Sequence, residues 1–248
     1  MAANRALQDL LRLAAQLVPG LKGVVHAQCD DTNNRASLKA LLAHWSGAYP
    51  EAGRAYWSSR CCGILIWQPV YLSVTGVHAA RASLSLQHVS QPIDDGWTRE
   101  VRLPDHAPQQ GDECALIAHS ASEIATCCAR IHADLMPVIR LNPAMVRGTL
   151  ADVVLAALLA ARKAHSEWND VHMQALGARW LAALDIEGCG GYFSFERSDG
   201  THAIALDRQT CCYHYRRRDG VMCSTCPRFA KHERIVRLNT ERDAALEA

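Results

Sequence analysis

Residues 208–227 read Arg-Gln-Thr-Cys-Cys-Tyr-His-Tyr-Arg-Arg-Arg-Asp-Gly-Val-Met-Cys-Ser-Thr-Cys-Pro, and they hold four of the eleven cysteines of the chain. Cys211 and Cys212 are adjacent, ten residues separate them from Cys223, and two more precede Cys226. Four thiolates can ligate a 2Fe-2S cluster, and a Cys-x2-Cys turn can present two sulfurs to one metal centre. An Asp-Gly dipeptide between the pairs favours a turn. The spacing therefore predicts one metal centre held by all four cysteines.

Zinc is the main chemical rival, because four cysteines also form closed structural zinc sites. Neighbouring residues tend to point their side chains apart. Cys211 and Cys212 therefore fit one tetrahedral ion less easily than an extended two-iron cluster. Spacing alone favours iron and sulfur over zinc, and it leaves a zinc site or free thiols open as alternatives.

Length and composition bound the remaining possibilities. The 248 residues are enough to bury a core without help from a metal. With 26 basic and 25 acidic residues the formal charge is +1, so no overall field points to nucleic acid or to an anionic membrane. Eleven cysteines are many for a chain in a reducing compartment, where a cysteine cluster indicates metal or redox chemistry rather than disulfides.

The apolar segments do not predict export or a membrane span. Met1–Gly20 carries Arg5, Asp9 and Arg12 inside its leucine pattern, which differs from the uninterrupted apolar core of a secretory signal. The apolar stretch Cys61–Ala80 contains polar residues and a proline, as a buried segment does. We therefore expect a cytoplasmic protein.

Apolar periodicity predicts an α+β fold in which helices dominate. Helices are expected near residues 7–17, 37–48, 117–138, 150–161 and 173–184, and an apolar segment from Glu51 onward is expected to be kinked or interrupted at Pro69. Small hairpins are expected within 82–103 and between Tyr192–Glu196 and His202–Leu206. The predicted organisation is a helix-rich domain over 1–207 and a cysteine-rich, cluster-binding segment over 208–248.

The other cysteines are expected to be structural. The pairs Cys61-Cys62 and Cys127-Cys128 lie in apolar helical segments, where cysteine is a small buried residue with an inert thiol. The isolated Cys29, Cys114 and Cys189 receive the same interpretation. Most tryptophans fall in apolar helical contexts and are expected in the core: Trp45, Trp57, Trp67, Trp168 and Trp180.

The segment 208–227 resembles the C-terminal signature of the FhuF-type ferric siderophore reductases. The Cys-Cys-x10-Cys-x2-Cys pattern of that family is matched without insertion, and the chain is similar in size. The resemblance implies that Cys211, Cys212, Cys223 and Cys226 bind a 2Fe-2S cluster. It also implies that one electron passes to siderophore-bound Fe(III), which releases Fe(II) in the cytoplasm. The close match is confined to this segment.

Partners follow from the resemblance, with a ferric siderophore as the substrate. No Gly-x-Gly-x2-Gly fingerprint follows a predicted strand, so no flavin or nicotinamide site is expected. The electron then comes from a separate donor of the ferredoxin or flavoprotein reductase type. No nucleic-acid partner is expected, and peripheral association with an inner-membrane siderophore importer is compatible with the sequence. The competing function is an iron-sulfur sensor, or a zinc-stabilised binding module, without reductase activity.

Positive charge is concentrated around the motif. Residues 208–234 contain seven basic and two acidic side chains, a local net charge of +5. One hypothesis is that Arg216, Arg217 and Arg218 offset the thiolate charge, favour the reduced state and dock an acidic electron donor or an anionic siderophore. The alternative is a solvated basic segment. His214 either couples electron transfer to protonation beside the cluster or is a surface histidine without that role.

Overall fold

The computed structural model describes residues 4–26 and 34–247, and seven α-helices lie in these ranges. They are α1 (Arg5–Leu17), α2 (Arg35–Ala48), α3 (Gly53–Ala79), α4 (Glu113–Leu135), α5 (Pro143–Ala161), α6 (Asp170–Ala183) and α7 (Lys231–Glu247). The strands are β1 (Gly23–Val25), β2 (Ala82–Ser83), β3 (Ile93–Asp94), β4 (Trp97–Thr98), β5 (Val101–Leu103), β6 (Gln109–Gln110), β7 (Tyr192–Glu196) and β8 (His202–Leu206). The predicted helix-dominated α+β class is confirmed.

Helix α3 is the centre of the fold. It contacts α1, α2, α4 and α5, and most of its side chains are buried. The interruption expected at Pro69 is wrong, because α3 continues through this residue, and Val70 and Leu72 beyond it are fully buried. A proline inside a helix costs about 3 kcal/mol, whereas each buried aliphatic side chain contributes roughly 1.5–3 kcal/mol. Burial around Pro69 outweighs the missing hydrogen bond.

Polar side chains cap the N-termini of four helices, and these caps define where the helices begin. The side chains of Asn34, Asp112, Asn142 and Asn169 accept hydrogen bonds from backbone N–H groups in the first turns of α2, α4, α5 and α6. Such caps satisfy N–H groups that have no partner within the helix. Helix α5 therefore begins at Pro143, and two turns later it presents Asp152 toward the cysteine segment.

The region 82–103 differs from the expected single hairpin. Strands β3 and β4 do form a tight hairpin, and its turn residues Asp95 and Gly96 have φ angles of 49° and 76°. Two positive φ angles are typical of a type I′ turn. The flanking strands take other partners, since β2 pairs antiparallel with β6 and β5 pairs parallel with β1. Leu84 and Leu86 are buried but lie outside any strand. The alternation of apolar and polar residues here therefore reflects side-chain burial and not strand pairing.

The second predicted hairpin is confirmed at its predicted bounds, with Tyr192 opposite Leu206 and Glu196 opposite His202. Helix α7 was not predicted. It packs against this hairpin through Arg234. This side chain forms an ion pair with Asp207 at 2.8 Å, and the guanidinium carbon of Arg234 lies 5.1 Å from the centre of the Phe193 ring. The sequence of α7 is rich in charged residues, so apolar periodicity gives little sign of it.

The helical segment Pro143–Ala164 is long and apolar enough to cross a membrane by length and composition alone. It comprises α5 and the short turn of helix that follows. In the structure 56% of its apolar window is buried, and it contacts α3 and α6. Its apolar character is therefore accounted for by burial between helices, as in the core helix of a soluble fold.

Candidate metal centre

The cysteine segment follows β8 and returns on itself through tight turns. The Gly220 N–H donates to the Arg217 carbonyl at 2.9 Å, which forms the turn predicted at Asp219-Gly220. A Cβ at position 220 would overlap the His214 carbonyl, so this turn requires glycine. The Cys226 N–H donates to the Cys223 carbonyl at 3.0 Å and closes the Cys-x2-Cys turn.

The turns bring the four thiols together crosswise. Cys212 and Cys223 lie close enough for each thiol to shift the pKa of the other, and Cys226 likewise acts on the pKa of Cys211. Cys226 is buried, whereas the other three are half-buried. The predicted convergence of the two cysteine pairs is thus present in the fold.

The donor set fits a 2Fe-2S cluster. Four thiols from one segment lie in two pairs, which suits a ligand set divided between two metals. Within residues 4–26 and 34–247, no three His, Cys, Asp or Glu side chains are arranged around a position for one metal ion. A structural zinc site would need four such donors around one point. Four cysteine sulfurs are the donors that a 2Fe-2S cluster requires.

The environment of Cys212 stabilises a thiolate. Hydrogen bonding from the Cys223 thiol lowers the pKa of Cys212 to about 5, and the positive charge of Arg208 acts in the same direction against the effect of burial. The same hydrogen bond raises the pKa of Cys223, and burial raises the pKa of Cys211. Because metals bind thiolates and displace protons, Cys212 is prepared to ligate at neutral pH.

Arg208 connects the cysteine segment to helix α5. Its Nε donates to Asp152 Oδ2 at 2.6 Å, and its Nη1 donates to Cys223 Sγ at 3.4 Å. Burial alone would lower the pKa of Arg208, but the charges of Asp152 and of the thiolates raise it above its ordinary value. Burial raises the pKa of Asp152 to about 6 in spite of Arg208. The pair is charged at neutral pH, and it fixes one guanidinium beside a sulfur.

Helix α5 also approaches the segment closely at Gly148. A Cβ at this position would overlap the hydroxyl of Thr210, the residue before the first cysteine. Glycine in a helix interior costs roughly 1 kcal/mol relative to alanine. Because Gly148 has no side chain, the backbone of α5 can pack directly against the cysteine segment.

A small cavity lies between α3, α5 and the motif. It has a volume of about 170 Å³, and its lining includes Tyr56 and Arg60 from α3, Asp152 from α5, and Cys212 and His214 from the motif. Within the described residues, Arg60 Nε and Asp152 Oδ1 are buried without a hydrogen-bond partner. The cavity therefore places polar groups from both central helices beside the cysteines.

Arg60, like Asp152, lines this cavity and was not predicted from the sequence. Its guanidinium carbon lies 4.4 Å from the centre of the Trp45 ring and 4.3 Å from that of Trp97. The Trp45 Nε1 donates to the Gly96 carbonyl at 2.8 Å, which holds the first ring in place. Arg60 is about 150 residues from the motif, so only the fold brings them together.

The basic run has a different environment from the thiols. Arg217 donates to Tyr49 Oη and to Asp219 Oδ2, each at 2.6 Å. Arg218 binds Glu51 Oε1 through its backbone N–H at 2.8 Å and the Ala48 carbonyl through its side chain at 2.9 Å. These contacts fasten the segment to the end of α2 and the start of α3.

The other two residues predicted near the motif have separate contacts. Arg216 is exposed, with its guanidinium carbon 4.8 Å from the centre of the Tyr213 ring. The ring of His214 lies 6.3 Å from that of Tyr56, and burial lowers the pKa of His214. His214 is therefore brought to the cavity beside Cys212, whereas Arg216 faces solvent.

Three of the seven remaining cysteines, Cys61, Cys62 and Cys127, are buried as expected. Burial raises the pKa of Cys61 and Cys62 to about 12 and that of Cys127 to about 11. Cys128 and Cys189 are partly buried, and burial also raises the pKa of Cys128. The expectation of burial is wrong for Cys114, which is exposed in the first turn of α4, and Cys29 lies outside the described residues.

The expectation for the tryptophans holds in three cases. Trp45, Trp168 and Trp180 are buried in the core, whereas Trp57 and Trp67 are only partly buried against it. The Trp180 Nε1 donates to His78 Nε2 at 2.8 Å, which satisfies the polar edge of a fully buried ring.

A family model described as the FhuF 2Fe-2S C-terminal domain matches residues 208–228. This match confirms the resemblance that the cysteine spacing indicates, and it identifies a 2Fe-2S cluster as the cofactor. No solved structure matches the chain. The chain is thus an iron-sulfur protein by its C-terminal segment.

Proposed function

We propose that this chain is a ferric siderophore reductase in which Cys211, Cys212, Cys223 and Cys226 hold a 2Fe-2S cluster. The observation that carries the proposal is the crosswise pairing of these four thiols inside the segment that matches the 2Fe-2S domain. When bound, the cluster supplies one-electron transfer. The protein supplies the ligands, the charges around them and a surface for the substrate.

Side chains at the site have separate tasks in this proposal. Cys212, whose pKa is lowered by Cys223 and Arg208, gives up its proton readily when iron binds. Arg208 donates to the Cys223 sulfur, and a hydrogen bond to a ligating sulfur stabilises the more negative, reduced state. Asp152 holds Arg208 in the orientation that makes this contact.

The substrate docks where the sulfurs approach the surface. Cys211, Cys212 and Cys223 are partly exposed, whereas Cys226 is buried, so the first three define the accessible side. The basic side chains Arg216 and Arg228 are exposed in the same segment and attract anionic groups. This side is the one on which we place the ferric siderophore and the electron donor.

The reaction balances as a one-electron transfer. Siderophore-bound Fe(III) gains one electron and becomes Fe(II), and a separate ferredoxin or flavoprotein reductase returns one electron to the protein. Hard oxygen donors bind the smaller, more highly charged Fe(III) more tightly than Fe(II), so reduction loosens the complex. The proposed setting is the cytoplasm, with peripheral association at an inner-membrane siderophore importer.

The first experiment combines spectroscopy with metal analysis. The protein is purified anaerobically, iron and zinc are quantified, and visible and EPR spectra are recorded before and after dithionite. We expect charge-transfer bands that bleach on reduction and an S = 1/2 signal. A colourless, zinc-loaded protein that gives no signal after iron-sulfur reconstitution would favour the zinc-stabilised binding module.

The second experiment separates a reductase from an iron-sulfur sensor. The reduced protein is mixed anaerobically with a ferric siderophore, or with the same siderophore loaded with redox-inert Ga(III). We expect reoxidation and trapped Fe(II) with the ferric complex only. A stable reduced protein in the presence of a panel of ferric siderophores would favour the sensor.

A further inference from the structure

Arg60 carries a positive charge without an ionic partner. No hydrogen bond or ion pair joins its side chain to another residue in the described ranges 4–26 and 34–247, and its Nε is buried. Burial lowers its pKa below the ordinary value, yet a guanidinium stays protonated in proteins. Arg60 is partly buried, and the partial loss of water around an unpaired cation is costly.

The two partly buried arginines of residues 208–227 are already paired, whereas Arg216 and Arg218 are exposed to solvent. Arg208 forms an ion pair with Asp152 at 2.6 Å, and Arg217 forms one with Asp219 at 2.6 Å. Each of these pairs is close to neutral as a unit. Arg60 is therefore the net positive charge of the cavity that contains Cys212, and the charge of Cys212 already acts on it in the protein without metal.

A cluster ligated by four thiolates is anionic, and reduction adds one more negative charge. We propose that Arg60, partly buried in the cavity beside Cys212, is the counter-charge of the cluster and raises its midpoint potential. This proposal rests on the four-cysteine ligation given under the proposed function. It assigns to one residue of helix α3 a role that the sequence suggested for the basic run within the motif.

The rings around Arg60 make this charge effective. The Trp45 and Trp97 rings lie on adjacent sides of the guanidinium, with their centres 5.4 Å apart, and they shield those sides from water that would screen the charge. Charges interact more strongly in such a site than at the surface, where screening is nearly complete beyond about 10 Å. The cation–π contacts hold Arg60 without adding a negative charge, so its full charge acts on the motif.

The test measures the midpoint potential of the cluster in purified holoprotein by redox titration followed by EPR. Arg60→Gln removes the charge, and Arg60→Lys keeps it. Arg54→Gln is the matched control, because it removes an equal charge from an exposed position in the first turn of α3. Cluster content and thermal unfolding are measured on every variant.

We expect Arg60→Gln to lower the equilibrium constant for reduction about tenfold, which corresponds to 59 mV for a one-electron couple. Arg60→Lys and Arg54→Gln are expected to stay close to the parent. If Arg60→Gln contains the cluster and its midpoint potential is unchanged, the proposal that Arg60 is the counter-charge is overturned. Arg60 would then serve only in packing. Equal shifts in Arg60→Gln and Arg54→Gln would also overturn the proposal.

A second variant covers a failure of Arg60→Gln to fold. Trp97 is 40% exposed, so Trp97→Leu is tolerated at the surface, and it opens one face of the guanidinium to water. We expect a smaller fall in potential in the same direction, and no fall would overturn the proposal. Absence of the cluster from the parent protein would instead contradict the proposed function, which distinguishes the two failures.

Discussion

Asp152 on helix α5 and Arg208 beside the first cysteine pair form a hydrogen-bonded ion pair, with 2.6 Å between Oδ2 and Nε. Through the same guanidinium, α5 is connected to Cys223 Sγ at 3.4 Å. A change at Asp152 is therefore transmitted to the metal centre although Asp152 is not proposed as a ligand.

Asp152→Asn is expected to destabilise the protein by about 3 kcal/mol, because breaking a buried ion pair leaves one charge without its partner. The midpoint potential is expected to rise, because the asparagine amide oxygen can still accept from Arg208 and keep it beside Cys223 while a negative charge near the cluster is removed. Thermal unfolding and redox titration measure the two effects. Asp199→Asn, which breaks an exposed pair with Arg242, is the control, and comparable losses in both variants would contradict the prediction.

Cys226→Ser is expected to abolish most cluster binding, because it removes one of four proposed ligands and places a poor ligand in a buried position. Cys114→Ser is the matched control, since Cys114 is exposed in α4 and distant in sequence from the motif. Iron per chain and the EPR signal after anaerobic reconstitution are measured. Full cluster content in Cys226→Ser would exclude Cys226 from the ligand set.

Gly148→Ala is expected to displace Thr210 and the adjacent cysteine pair, because the added methyl group overlaps the threonine hydroxyl. Overpacking of this kind costs about 1–3 kcal/mol, which exceeds the helix propensity gained. Gly47→Ala adds the same methyl group in α2 with open space around it, and it should be neutral or stabilising. Thermal unfolding and cluster content are compared, and a more stable, fully loaded Gly148→Ala protein would show that the approach is not tight.

His78 is expected to make the protein less stable in acid. Burial lowers its pKa to about 4, from about 6.5 in the unfolded chain, so the unfolded state binds the proton more readily between these values. The contribution of neutral His78 to the free energy of unfolding is complete above about pH 6.5. It is lost as the pH falls to about 4, and the loss is at most roughly 3 kcal/mol. Denaturant unfolding from pH 7 to pH 4 measures the loss.

The control for this pH dependence uses two glutamine substitutions. His78→Gln should be less stable at pH 7, since it disturbs the hydrogen bond from Trp180, but its stability should change less with pH. His172→Gln, at an exposed position on α6, should keep the pH dependence of the parent. Parallel profiles for all three proteins would contradict the assignment to His78.

Local sequence patterns predict those secondary-structure elements whose conformation depends mainly on their own residues. The hairpin at Tyr192–Leu206 has alternating residues and a turn, and it forms at the predicted bounds. Pro69 could not be judged locally, because burial by four neighbouring helices keeps α3 continuous. Helix α7 was missed because its sequence carries little apolar periodicity.

For the candidate site, too, the sequence predicts the residues that lie within one segment and not those that the fold brings in from elsewhere. The four cysteines occupy one short segment, so their spacing predicts that they meet. Arg60 and Asp152 are ordinary residues of two distant helices, and nothing in their local sequence links them to the motif. Their place beside Cys212 follows from the packing of α3 against α5, which depends on the whole fold.

The uneven burial of the four cysteines has a consequence for biosynthesis. The hydrophobic core is formed by the helices, while three of the four sulfurs remain within reach of solvent after folding. A cluster can therefore be delivered to a chain that is already folded, with Cys211, Cys212 and Cys223 as the first points of attachment. Newly made protein would persist as a stable precursor when iron is scarce, and its maturation would respond to the iron supply without new synthesis.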